Sequence, residues 1–137
     1  MPRNQTQGAY SSASCLAMAI GVNIVLSLLN PQAFVELGKN ALIPFYRELF
    51  HDVVALNPPL FGLLAAAFEI AVGLLILNRK NYVKIGLVAG IIFNIAIIPL
   101  GVEEMPNWIW ALAQVYLLRK EFDKTFVEIL RAKLRRE

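Results

Sequence analysis

The sequence holds a single cysteine, Cys15, and a single histidine, His51. One cysteine excludes an intramolecular disulfide. A lone histidine beside Glu48 and Asp52 is too thin a ligand set for a metal centre, so no metal site is expected. There is no glycine-rich phosphate loop, no haem-binding histidine pair, no paired histidine–carboxylate motif and no serine-nucleophile signature. No catalytic residue is therefore assigned, and an enzyme acting on its own is not expected. Charge is scarce too. Only 17% of the 137 residues are Asp, Glu, Lys or Arg, where ordinary soluble domains carry about 25%. The net charge of +3 is gathered mostly in the C-terminal tail. It suits contact with anionic lipid better than with nucleic acid.

What the chain has in abundance is apolar sequence, 58% of all residues, arranged in long blocks. These predict an all-α fold: one integral membrane domain, 1–137, built as a four-transmembrane-helix bundle. The spans are expected at about 14–29, 59–77, 82–100 and 105–120. The fourth is the shortest. Its apolar stretch, Trp108 to Leu118, must borrow Met105 to Asn107 and the aliphatic stems of Arg119 and Lys120. Trp108, Trp110 and Tyr116 suit helix ends at the headgroup level.

Of the 13 basic residues, all but Lys39 and Arg47 fall on one side of such a bundle. The turn after span three carries Glu103 and Glu104 instead. The positive-inside rule then places both termini in the cytoplasm, with the protein in the inner (plasma) membrane and the tail 121–137 cytoplasmic. A three-span arrangement would strand the basic tail outside. A secretory signal over residues 1–29 is the competing reading, but no small-x-small cleavage site follows it.

Two amphipathic segments flank the spans. Residues 31–57 connect spans one and two. Asn30–Pro31 ends the first helix there, because proline disfavours a helical conformation in the residue before it. After Pro44 an amphipathic connecting helix is expected, with Phe45, Tyr46, Leu49, Phe50, Val53 and Val54 on one face. It could lie on the membrane surface or cap the bundle. The C-terminal amphipathic extension aligns Phe122, Phe126, Ile129, Leu130 and Leu134. It is expected to continue the fourth helix and to lie against anionic headgroups or a partner subunit. Residues 1–12 are polar and expected to be disordered.

Inside a bilayer, polar and small side chains turn toward other helices. Gly62, Ala66, Glu69 and Gly73 share one face of span two. Gly86, Gly90, Asn94 and Ile97 share one of span three, where Gly86 and Gly90 form a GxxxG pair. Asn23, Ser27 and Asn30 align in span one, and span four offers Gln114. Glu69 is the only charged residue of its span. A carboxyl group at that depth is costly, so such groups commonly carry function. In its neutral form it can donate one hydrogen bond and accept others. Asn23, Asn94 and Gln114 are its available partners, while Lys84 lies too near a helix end. Glu69, Asn94, Asn23 and Gln114 are thus the candidates for ligand binding or proton handling. The plainer alternative is a helix-packing hydrogen bond.

The run Glu69-Ile-Ala-Val-Gly73-Leu-Leu-Ile-Leu, followed by the basic turn Asn78-Arg79-Lys80 and by Gly86 and Gly90 in the next span, resembles the DoxX-like family of small four-helix membrane proteins. That resemblance implies a four-helix inner-membrane bundle with Glu69 at the family's acidic position. Some members are the small subunit of a thiosulfate–quinone oxidoreductase, others act in redox or stress-linked membrane complexes, and most have no known activity. The expected function is an accessory protein holding a quinone or lipid near Glu69, with no other cofactor. A subunit of a quinone-linked oxidoreductase and a proton-coupled transporter acting as an oligomer are the alternatives. Expected partners are membrane lipid and a second copy or another protein, met through Gly86, Gly90 and the C-terminal helix.

Overall fold

The computed structural model describes residues 17, 18 and 20–135. The start of span one, Cys15, Arg3 and the N-terminal tail lie outside the described residues. Every regular element within them is helical. Helix α1, Ile20–Leu29, is followed by α2, Gln32–Lys39, and α3, Pro44–Asp52. Then come α4, Pro58–Ile76, α5, Asn81–Ile97, α6, Asn107–Leu118, and α7, Phe126–Leu134. One 3-10 turn precedes α4, and two lie between α5 and α6.

Among the described residues two helices are long and apolar enough to cross a membrane: α4, and α5 extended by its 3-10 turn to Leu100. A third candidate is the pair α1 and α2, broken by a bend of 107°. The break falls at Asn30–Pro31, where the sequence places it. Helix α6 has 12 residues, about 18 Å at 1.5 Å per residue. It does not by itself reach across a hydrocarbon core of about 30 Å.

Local chemistry sets the ends of α4. Asn57 accepts a hydrogen bond from the Leu60 N–H at 3.3 Å, and Pro58 and Pro59 occupy the first turn, where no N–H is needed. Gly62, Ala66, Glu69 and Gly73 are all buried, so the small-residue face points inward. Helix α1 runs antiparallel to α4. Ser27 lies against Gly62 while Asn23, one turn earlier, reaches Glu69. Helix α5 packs on α4 and on α6. Its Gly86 meets Leu75 and Ile76 at the end of α4, and its Gly90 meets Gln114 of α6. Both glycines of the GxxxG pair are buried against neighbouring elements of the chain.

Helices α2 and α3 form a hairpin at one end of the molecule. Gly38 lets the Phe50 ring lie directly on α2. The Tyr46 hydroxyl donates to the Ala96 carbonyl at 2.7 Å, and the Leu42 N–H donates to the Pro99 carbonyl at 2.7 Å. The amphipathic helix expected after Pro44 is therefore anchored on the end of α5. Helix α2 was not expected, although Phe34, Leu37 and Gly38 stand at helical spacing.

The opposite end holds the basic turn. Here the C-terminal segment departs from the expected continuous helix. Helix α6 stops at Leu118, and residues 119–125 turn back. The Lys80 N–H donates to the Phe122 carbonyl at 2.6 Å and the Phe126 N–H to the Leu77 carbonyl at 3.1 Å. A capping box then starts α7. The Glu128 N–H donates to Thr125 Oγ1, and the Thr125 N–H donates to Glu128 Oε2.

Candidate functional site

Helices α1, α4, α5 and α6 and the α2–α3 hairpin line a cavity of about 880 Å³. Its wall is mainly apolar. Phe61, Phe68 and Val72 come from α4, Leu87 and Phe93 from α5, Trp110 from α6, and Phe34, Phe50 and Val53 from the hairpin. The Phe68 and Phe93 rings stack at a tilt with centroids 5.1 Å apart. Asn23, Glu69, Asn94 and Gln114 all line this cavity, so the sequence candidates from separate helices meet in one place.

They form two hydrogen-bonded pairs. Asn23 Nδ2 donates to Glu69 Oε2 at 2.9 Å across the α1–α4 contact. Asn94 Nδ2 donates to Gln114 Oε1 at 3.0 Å across the α5–α6 contact. Of the amides expected to serve Glu69, Asn23 does so directly, while Asn94 and Gln114 satisfy each other. Below Asn23, the Ser27 hydroxyl donates back to the Asn23 carbonyl at 2.5 Å. That bond silences a buried hydroxyl where Gly62 brings the two backbones together.

Glu69 itself is only 7% exposed. Among the described residues its Oε1 has no hydrogen-bond partner, yet no fully enclosed side-chain oxygen or nitrogen is left unpaired. Oε1 is therefore reachable from the cavity. No ion pair neutralises the group among the described residues.

Two further polar residues line the cavity and were not singled out from sequence: Glu104 and Asn107. Asn107 Nδ2 donates to Glu104 Oε2 at 2.7 Å and to the Glu104 carbonyl at 2.9 Å. In sequence they read as loop charge and helix start. Only the fold of the 3-10 turn beneath α6 brings them onto the cavity wall. His51 is bonded to Asp52 on an exposed face, away from the cavity.

The outside of the molecule is the reverse of its interior. Leu28 is 67% exposed, Leu74 64%, Ile92 64% and Ile109 69%. Large aliphatic side chains face outward along α1, α4, α5 and α6, while Glu69 and Ser27 are buried. Comparison of the chain with known protein families, with curated proteins and with solved structures finds no match.

Proposed function

We propose that this chain is an integral membrane protein whose interior cavity holds a small apolar ligand by its polar end, near Glu69. The observation that carries the proposal is the cavity itself. Its walls are apolar and aromatic, and its few polar groups, on α1, α4, α5 and α6, converge on one space. A concave apolar site with a small number of placed polar groups is the usual form of a small-molecule site. A quinone or a lipid has the required shape, a flat or polar head on an apolar body. The accessory role expected of a DoxX-like protein belongs to the same proposal.

The outward aliphatic surface supports lipid as the surrounding medium, since soluble proteins seldom expose apolar patches of this extent. We take α1, α4, α5 and α6 as four spans. Short α6 is lengthened by the turn below it and by the stems of Arg119 and Lys120. Arg79, Lys80, Lys84 and the segment after α6 gather at one end, which we place in the cytoplasm together with both termini.

Native mass spectrometry of the detergent-purified protein, followed by organic extraction, tests the ligand-holding role. The expected result is a retained lipid or quinone. A protein that stays ligand-free, and remains so after both are added back, would overturn it. Dispersion of the purified chain without detergent would overturn the membrane assignment.

A further inference from the structure

The charge on the cavity wall is of one sign. Glu69 and Glu104 line it, and no Lys, Arg or His does among the described residues. Among the described residues neither carboxyl group is matched by a cation. Each has one oxygen bonded to an amide, Asn23 for Glu69 and Asn107 for Glu104. Oε1 of Glu69 stays open to the cavity on a side chain that is more than nine-tenths buried.

The remaining wall is rich in rings. An aromatic face attracts a cation through its quadrupole, and the attraction grows when the cation leaves water. Phe61, Phe68, Phe93 and Trp110 lie on the same cavity as Glu69. None of these rings has a Lys or Arg over it among the described residues, where the one such contact joins Lys120 to Tyr116. Aromatic walls, an acceptor oxygen at depth and a second acid on the wall form a consistent set. They disfavour an anion and favour a head that carries positive charge.

Building on the ligand-holding role proposed above, the geometry points to a lipophilic organic cation as the ligand class, an amine or onium head on an apolar body. The head sits against Oε1 of Glu69 with the rings around it. Glu104 provides a second stop on the same wall. Because Glu69 and Glu104 belong to different segments, the site can accept heads of different reach. The volume of about 880 Å³ leaves room for a bulky body.

The test uses two ions of the same shape and opposite charge. Tetraphenylphosphonium and tetraphenylborate are titrated separately into the full-length protein in nanodiscs of neutral lipid. Binding is read by calorimetry and by tryptophan fluorescence, with Trp110 on the wall as reporter. Decylubiquinone serves as the neutral probe. The phosphonium is expected to bind roughly ten-fold tighter than the borate or more. Glu69→Gln should erase that preference, Glu69→Asp should keep part of it, and Glu104→Gln should reduce it.

Equal binding of the two ions would overturn the cationic assignment without any variant having to fold. Binding of decylubiquinone with no binding of the phosphonium would also overturn it while leaving a ligand-holding cavity in place. If no probe bound and the purified protein carried no lipid, the ligand-holding role would fall as well.

Discussion

Asn23 and Glu69, 46 residues apart in sequence, are joined by a 2.9 Å hydrogen bond that ties α1 to α4 at the wall of the cavity. Glutamine at position 69 keeps an acceptor for Asn23, whereas leucine leaves a donor without a partner in an apolar wall. Glu69→Gln is expected to melt close to wild type, while Glu69→Leu loses about 1 kcal/mol. Thermal unfolding in one detergent checks the pair. Equal losses would show that the bond contributes nothing to packing.

Gly62 and Gly90 both bring helices close together, but their neighbours differ. A Cβ at Gly62 would run into Ser27 Oγ and the Phe34 ring. Ser27 is held by its own hydrogen bond and the ring is buried, so neither can yield easily. A Cβ at Gly90 would meet the Gln114 amide, 2.6 Å from its nitrogen, which is the end of a flexible side chain. Gly62→Ala is expected to cost about 1–3 kcal/mol. Gly90→Ala should cost about 1 kcal/mol, mainly through the lost bond to Asn94. Unfolding midpoints of both variants, and of Gly62→Ala with Ser27→Ala, decide the point. The double variant should recover part of the loss.

The parts of the site were not equally legible in the sequence. The inward face of α4 could be read from the four- and three-residue spacing of Gly62, Ala66, Glu69 and Gly73, since in lipid a polar stripe must find company. The pairing could not be read. Asn23, Asn94 and Gln114 are equivalent in composition, and only the helix order around the cavity selects Asn23 for Glu69. Asn30–Pro31 announced its break through the sterics of proline. The break after α6 carried no proline or glycine. Its one local signal was the capping box Thr125-Phe126-Val127-Glu128, which the continuous amphipathic pattern obscured. Glu104 and Asn107 were hidden for another reason: they reach the cavity through a short 3-10 turn that has no periodicity of its own.

The capping box gives α7 a pH dependence. The Thr125 N–H and hydroxyl hold the Glu128 carboxyl below its ordinary value of 4.5, with smaller help from the charges of Arg79 and Lys124. Folding lowers this value. The stabilisation is therefore complete above the ordinary value and disappears as pH falls through the lower folded one. Hydrogen exchange at the amides of residues 126–129 should be slow at neutral pH and quicken only under acid conditions. Thr125→Ala should speed it at every pH, by a loss of about 1 kcal/mol in the helix. Exchange that ignores both changes would rule out the cap.

Lys80 adopts φ 53° and ψ −128°, a conformation natural to glycine and strained for other residues. Its N–H bond to Phe122 holds it there. Lys80→Gly retains that bond and removes the clash, so it should raise the unfolding midpoint by a gain of about 1 kcal/mol. A lower midpoint would place the turn in another conformation.

The brevity of α6 reaches beyond the protein itself. If the chain sits in a bilayer as proposed, α4 and α5 match the hydrocarbon thickness, while α6 reaches it only with the turn below it and the stems of Arg119 and Lys120, so the α6 flank is the thinner apolar side. Acyl chains beside that flank must shorten or tilt, at a cost of fractions of a kcal/mol for each ångström of mismatch. Neighbouring proteins with equally thin flanks would then be drawn to that edge, and thin regions of membrane would collect this protein in preference to thick ones.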